Sequence, residues 1–358
     1  MKKLRLAIIG QGRSGRDIHG AYLKSESNTL YDVVAVVELD PARRALALEE
    51  YPGCEVFEDY RELYGRDDID LVVNATFSEM HYPVSKDLLE NGFNVLVEKP
   101  FARNRYECET LINLANSKGL TLAVFQQTFL APHYLYALEV INSGKLGKIY
   151  EIRITYNDFK RRWDWQTLQC KMAGVTYNTG PHPIGMALGF LDFDKNYRVA
   201  YSKLANTVSS GDAEDYSKII ITAPDKPVVD IEMCSLDAYP QGMLKICGTK
   251  GTMLATTLKY EMKYIIDGEN PERPLIREPI KKPNGLPAYC SEKRVIHEES
   301  GEYKGTAFDS AVSAFYTDLY YKITEGKPLR VTPEMAMEVV NVIEKAHADN
   351  PLPVKYSL

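Results

Sequence analysis

The most constraining feature of this 358-residue chain is the way it begins. Leu6-Ala7-Ile8-Ile9 is an unbroken apolar run that reads as a buried strand of a parallel sheet. It passes directly into Gly10-Gln11-Gly12-Arg13-Ser14-Gly15, and the residues that follow can start a helix. In a strand–turn–helix setting, Gly10 makes the tight turn, Gly12 lets a pyrophosphate approach the backbone, and Gly15 lets helix and strand pack closely. The phosphates would rest on the free N–H groups of the helix N-terminus, where the helix dipole favours negative charge. A glycine triplet alone serves equally well as a structural turn. The preceding strand and a downstream acid favour a dinucleotide site.

The first third continues to alternate strand and helix signals. Strands are expected over Tyr31–Val37, Asp70–Ala75, Phe93–Val97 and Leu120–Phe125. Asp40-Pro41 reads as an N-cap with proline at the first helical position, and helices are expected over Glu79–Asn91, closed by Gly92, and Asn104–Lys118, closed by Gly119. Repeated strand–helix–strand units imply an α/β doubly wound parallel sheet of the Rossmann type over residues 1–123. Residues 124–358 read differently. A helix over Pro132–Asn142 is followed by strands over Ile149–Tyr156, Lys218–Thr222, Val228–Cys234, Met243–Cys247 and Thr252–Thr257, with a hairpin turn at Gly248-Thr249-Lys250-Gly251. Strands in succession without intervening helices predict an α+β domain with a large open, mainly antiparallel sheet. Residues 265–305 read as loops and short strands, and helices over Phe308–Glu325 and Glu334–Ala348 close the chain and can pack back on the first domain.

Composition narrows the partners. A formal charge of -6 argues against nucleic acid, and no apolar run is long enough to span a bilayer. Met1-Lys2-Lys3 precedes an apolar run that stops at Gly10 without a cleavage-site pattern, so a cytoplasmic location is expected. The six cysteines are scattered with no Cys-x-x-Cys pair, which fits reduced thiols better than disulfides, and no plausible metal cluster is visible.

Two positions next to the glycine loop carry chemistry. Glu38 ends the second strand about 20 residues beyond the loop, where an acid accepts from the adenosine ribose hydroxyls and repels a 2′-phosphate. NAD is therefore the expected cofactor, with NADP left open because Arg43 and Arg44 lie nearby. The fourth strand delivers Glu98-Lys99-Pro100 at its carboxyl end, where open α/β sheets bind ligands. A partly desolvated lysine there has a lowered pKa and can exchange a proton with a substrate hydroxyl. The alternative is a surface lysine after a strand.

These stretches, together with Ala75-Thr76 and His81 downstream, Asn94-Val95-Leu96-Val97-Glu98-Lys99-Pro100, and the ending Gly326-Lys327-Pro328 with Val331-Thr332-Pro333-Glu334, resemble the glucose–fructose oxidoreductase/inositol dehydrogenase (Gfo/Idh/MocA) family. The resemblance implies a Rossmann domain, an open-sheet second domain and NAD(P)-dependent chemistry on sugars, inositols or related polyols. It places Gln11, Arg13, Ser14, Ala75, Thr76, His81, Glu98 and Lys99 with the three glycines and Glu38 around the cofactor. It also aligns His182, in Gly174-Val175-Thr176-Tyr177-Asn178-Thr179-Gly180-Pro181-His182, with the family's catalytic histidine. Asn178 and Gly185 stand where that family commonly carries aspartates. An asparagine orients a hydroxyl but holds no proton at neutral pH, so the proton must pass through Lys99, His182 or both. The other reading of His182 is a helix-start histidine bonded to backbone.

Both tryptophans fall in Lys160-Arg161-Arg162-Trp163-Asp164-Trp165, a mixture suited to a sugar pocket: indole faces against C–H faces, with Arg and Asp bonded to hydroxyls. Arg161, Trp163, Trp165, Gln127, Asn178, Lys99 and His182 are thus the expected substrate contacts. The competing reading is an aromatic contact between domains or subunits. The leading expectation is hydride transfer between nicotinamide and a secondary alcohol or ketone of a cyclic sugar, glycoside or inositol, with Lys99 and His182 catalytic. Redox-cycling glycoside cleavage and a non-catalytic nicotinamide-binding regulator are the alternatives. An uncovered apolar face on the open sheet, suggested by alternation in Ile152–Tyr156 and Val228–Met233, would pair subunits into a homodimer or homotetramer.

Overall fold

The computed structural model describes residues 2–357. A six-stranded parallel sheet, ordered β3-β2-β1-β4-β5-β6, is built from β1 (Leu4–Ile9), β2 (Tyr31–Val37), β3 (Glu55–Phe57), β4 (Leu71–Asn74), β5 (Val95–Val97) and β6 (Leu122–Val124). Its strands are apolar on both sides because helices cover both faces. Leu6, Ile8, Val73 and Leu96 enter one core, while Ala7, Ile9, Val72, Val95 and Val97 enter the other. The crossovers are α1 (Gly20–Leu23), α2 (Pro41–Glu50), α3 (His81–Glu90) and α4 (Arg105–Lys118). Asp40 caps α2 by accepting from the Ala42 N–H, and Asn104 caps α4 by accepting from Glu107, as the start signals imply.

The helix expected from Glu79 starts instead as a 3-10 turn over Ser78–Met80, with α3 beginning at His81. The short edge strand β3 was outside the expectation, since three residues carry too little periodicity to register.

The second sheet has eight strands: β7 (Ile149–Asn157), β8 (Arg198–Ala205), β9 (Tyr216–Thr222), β10 (Val228–Cys234), β11 (Leu244–Gly248), β12 (Gly251–Ala255), β13 (Lys259–Tyr264) and β14 (His297–Glu302). Their order is β14-β13-β12-β11-β7-β10-β9-β8, antiparallel except where β10 runs parallel to β7. Its helices are α5 (Pro132–Asn142), α6 (Val175–Asn178), α7 (Pro181–Phe190), α8 (Ser310–Glu325) and α9 (Pro333–Asp349). The expectation of an uncovered apolar face is corrected here. Ile152, Ile154, Ile231, Met233 and Ile246 point into a core shared with Ala187, Leu188 and Phe190 of α7. The face turned away carries Arg153 paired with Glu151, and Lys218 paired with Asp230 and Glu232. α9 spans the two units: Ala336, Met337 and Val340 belong to one core and Val339, Val342 and Ile343 to the other.

The glycine loop shows which of its residues the fold itself demands. Gly10 has φ +93°, and a Cβ there would lie 2.5 Å from the Ala75 carbonyl oxygen. A Cβ on Gly15 would lie 1.8 Å from the Gly10 oxygen. A Cβ on Gly12 would meet nothing within 4 Å. Two glycines thus serve chain packing, and the third leaves space for something else. Gly15→Ala should destabilise the fold by about 3 kcal/mol, the upper end of typical overpacking costs. Gly12→Ala should leave the melting temperature unchanged while weakening NAD(P) binding, which thermal denaturation and a cofactor titration on the same samples will separate.

Candidate active site

The carboxyl ends of β1, β2, β4 and β5 converge where the glycine loop turns. The Gly10 N–H donates to Val37 O and the Ala75 N–H to Ile9 O, which lashes the loop between its two neighbouring strands. From Gly12 the chain enters a π-helical turn, Arg13–His19, with no acidic side chain in its first turn. Such an end, with open space above Gly12, suits a pyrophosphate. The buried Gln11 side chain also holds an amide nitrogen without a protein partner. Glu38 sits beside the loop, accepting from the Gln11 N–H at 2.7 Å and the Asp40 N–H at 3.0 Å. The Arg43 guanidinium is 3.8 Å from Glu38 Oε2, and Arg44 is strapped to the Glu38 and Leu39 carbonyls. These residues fit the adenosine half of a nicotinamide dinucleotide.

The exits of β4 and β5 are pinned to each other. Thr76 Oγ1 donates to Asn74 Oδ1 at 2.7 Å, and Asn74 Nδ2 donates to Ser85 and to the His81 carbonyl. The buried His81 ring lies between the Pro100 carbonyl at 2.7 Å and the Thr76 carbonyl at 3.2 Å. Burial lowers its pKa, while the two carbonyls and the Glu98 charge work to raise it. His81 therefore braces the segment carrying Lys99 instead of presenting a base.

Lys99 is partly buried, and its Nζ donates to the main-chain carbonyl of Asn178 at 3.0 Å. Burial lowers the pKa of this lysine, Glu98 opposes that, and Arg13 adds to it. Glu98 is buried; desolvation works to raise its pKa, but His19 and the Lys99 charge prevail and hold it below the usual carboxylate range.

Across from Lys99, at the start of α7, His182 Nδ1 meets Thr128 Oγ1 at 2.6 Å. Burial, followed by the nearby Lys99 charge, pushes the imidazole down to about 3. The ordinary histidine range assumed from sequence does not apply, and His182 is a neutral hydrogen-bonding ring near pH 7. Gly185, one turn further along, faces Phe129: a Cβ there would lie 2.9 Å from the ring. The Phe129 ring fills the space an aspartate at position 185 would need.

A cavity of about 240 Å³ opens on the second-sheet side, lined by the ends of β7 and β10, Arg162, Asn178 and Glu214. Asn178 joins this cavity to the Lys99 site, holding the lysine with its carbonyl and lining the cavity as well. Of the residues expected at the substrate, only Asn178 lines it; Lys99, His182, Arg161, Trp163, Trp165 and Gln127 do not. Trp163 is 77% exposed, and Trp165 packs edge-on to Phe77 from the β4 exit with ring centroids 4.9 Å apart. Trp165 thus makes a contact between the domains, while Trp163 stands in solvent. Gln127 is buried with an unpartnered carbonyl oxygen.

Lys160 and Arg162 of the tryptophan stretch line the cavity, and so do Glu214 and Asp215, which carried no sequence signal. Asp215 is committed to the fold, accepting from the N–H groups of Thr207, Val208 and Ser209. His19 was equally silent in the sequence, and it lies against Glu98.

Comparison with known proteins agrees with this geometry. Residues 4–126 match the model of an oxidoreductase family with an NAD-binding Rossmann fold, and residues 134–254 match the GFO/IDH/MocA C-terminal domain. The chain is similar to the scyllo-inositol 2-dehydrogenase (NADP(+)) IolW of Bacillus subtilis, 24% identical over 351 residues that cover 96% of this chain and 92% of the relative. It is also similar to the 2,7-anhydro-N-acetylneuraminate hydratase of Mediterraneibacter gnavus, 25% identical over 265 residues covering 71% and 67%. Among solved structures, the oxidoreductase yvaA from Bacillus subtilis superposes with a TM-score of 0.79 at 18% identity, covering 97% of this chain and 95% of that one. The strand-end lysine, the glycine loop beside it and the eight-stranded second sheet thus have one common explanation: the chain belongs to the Gfo/Idh/MocA family of NAD(P)-dependent oxidoreductases.

Proposed function

We propose that the protein transfers a hydride between a nicotinamide cofactor and a secondary alcohol or ketone of a cyclic polyol or sugar, with Lys99 as the proton-exchanging group. The observation that carries this reading is Lys99 itself: partly buried, tethered to the Asn178 carbonyl, and depressed in pKa at the strand end beside the glycine loop. The nicotinamide, when bound, accepts or supplies the hydride. In the oxidative direction the neutral Lys99 amine takes the hydroxyl proton as the carbonyl forms; in reduction the ammonium returns it. His182, kept neutral and oriented by Thr128, is suited to fix the substrate hydroxyl and poorly suited to hold the proton. The cavity wall next to Asn178 is polar, as a polyhydroxylated substrate requires, and the Bacillus subtilis relative is named for an inositol.

The name of the second relative, a hydratase, favours a further reading: transient oxidation followed by elimination or hydration and re-reduction within one site. The two are separated by following reduced-nicotinamide absorbance and product in one sample. Net oxidation accumulates NAD(P)H in step with product, whereas a closed redox cycle yields product alone. We further propose that the charged outer face of the eight-stranded sheet pairs copies into a homodimer or homotetramer, and that the protein works in the cytoplasm. Light scattering on the purified chain tests the pairing; a monomer at micromolar concentration refutes it.

Lys99→Met should leave cofactor affinity within about threefold and reduce turnover by about 10²-fold or more, the range of a general acid–base contribution. Because the oxidative step needs neutral Lys99 and burial lowers its pKa, kcat/KM for oxidation should rise with pH and level off below the ordinary lysine value of 10.5. The reductive direction should show the opposite slope, and stopped assays across pH in both directions check the sign. Glu38→Ser removes the carboxylate facing the ribose, and should raise use of NADP relative to NAD about tenfold, equivalent to roughly 1.4 kcal/mol. An unchanged ratio of kcat/KM values would assign cofactor choice elsewhere.

A further inference from the structure

His19 lies where the helix of the glycine loop meets the second unit, and its side chain is fully buried. Its Nδ1 is 2.7 Å from the Tyr316 hydroxyl on α8. Its Nε2 is 3.2 Å from Glu98 Oε1, outside strict hydrogen-bond geometry, and neither of those two atoms has another partner. The other Glu98 oxygen accepts the Lys99 N–H at 3.0 Å. The surroundings are fixed by packing. Phe125 lies against the imidazole with centroids 4.4 Å apart, Tyr22 stacks on Tyr316 at 4.6 Å, and the Tyr31 hydroxyl donates to the Tyr316 carbonyl at 2.8 Å.

With a neutral imidazole the groups of this buried row match donor to acceptor. An ionised carboxylate only accepts, so the nitrogen facing Glu98 must carry a hydrogen. In a neutral imidazole, Nδ1 then accepts, which makes the Tyr316 hydroxyl the donor at the far end. Tyr316 then donates to His19, whose Nε2–H is turned toward Glu98.

We propose that His19 is a positioning residue for Lys99: clamped by Tyr316, it keeps the Glu98 carboxylate ionised and in place as the counter-charge of the lysine. The proposal rests on Lys99 being the proton-exchanging group. A buried carboxylate with no donor is costly and neutralises instead. Without His19, Glu98 would take up a proton and Lys99 would lose its nearest negative charge. The other titratable or charged groups bearing on this pair are Arg13, His81 and His182; Tyr22, Tyr31 and Tyr51 surround Tyr316. Arg13 is a cation that disfavours charged Lys99, and a histidine is neutral or positive, so none of them replaces the Glu98 charge.

The test measures the protonation midpoint of Lys99 in His19→Leu, His19→Gln and Tyr316→Phe. Two readouts are used: the pH profile of kcat/KM for polyol oxidation, and the ¹³C NMR titration of reductively methylated Lys99, identified by the signal missing in Lys99→Arg. His19→Leu should lower the midpoint by about one pH unit, a tenfold change in the protonated fraction ratio. His19→Gln, whose amide can donate to Glu98, should return most of the shift. Tyr316→Phe, which keeps the ring and frees the imidazole tautomer, should give a smaller shift in the same direction. Cofactor affinity, read by fluorescence, should stay within about threefold. A purely structural role would lower stability and leave the midpoint where it is, and that result in folded His19→Leu overturns the proposal. If His19→Leu does not fold, an unmoved midpoint in Tyr316→Phe overturns it. If the parent protein oxidises no polyol, the functional reading fails, and the NMR titration still decides the role of His19.

Discussion

A carboxylate is buried at the end of β5, and much of the site is arranged around the cost of keeping it charged. Glu98 is almost entirely removed from water, next to a lysine that burial also penalises. Two such groups are tolerable together because each offsets part of the other's desolvation, and because hydrogen-bond partners are brought in from distant parts of the chain. Those partners come from three places: His19 from the glycine-loop helix, Tyr316 from α8 behind it, and the Asn178 carbonyl from α6. The strand end that carries Glu98 and Lys99 is therefore also where the two sheets are tied together.

The terminal helices make that tie durable. α9 contributes apolar residues to both cores, while Tyr320 of α8 donates to the Lys2 carbonyl and Arg105 of α4 pairs with Glu338 of α9. A partly exposed ion pair such as Arg105–Glu338 contributes little on its own, about 0–1 kcal/mol. The shared apolar packing is what holds the crevice at one width. A rigid crevice matters for hydride transfer, since misplacing the reacting carbon by an ångström costs more than losing one hydrogen bond.

Legibility in the sequence followed physical scale. Strands β1, β2 and β4 were readable because strands buried on both faces are continuous apolar runs. β13 was not, because Lys259, Glu261 and Lys263 alternate along a strand near the sheet edge, where only Met262 is fully buried. α7 escaped notice because Pro181, Pro183, Gly185 and Gly189 resemble loop punctuation, although the helix is enclosed on nearly every side and needs no polar face. Lys99 could be picked out by its place at a strand end. His182 needed a family pattern, and the cavity wall at Glu214 had no local signature. Composition alone pointed to Trp163 and Trp165, but composition is the same for a pocket floor and a domain contact.

The sequence by itself determined what a short stretch of chain can determine: the glycine loop with its strand and helix, the carboxylate beside that loop, and a lysine delivered to the rim of a parallel sheet. Each depends on residues within one strand–turn–helix unit, so spacing is enough. Only the tertiary structure decided how that lysine is charged, because its tether, its insulation and the groups that support its neighbouring counter-charge come from residues up to 217 positions away, at Tyr316. It also decided that His182 is a neutral ring, that Phe129 fills the place of an aspartate at position 185, and that the sheet's apolar face is already covered. Charge, desolvation and free volume are properties of a neighbourhood, and a neighbourhood exists only once the chain has folded.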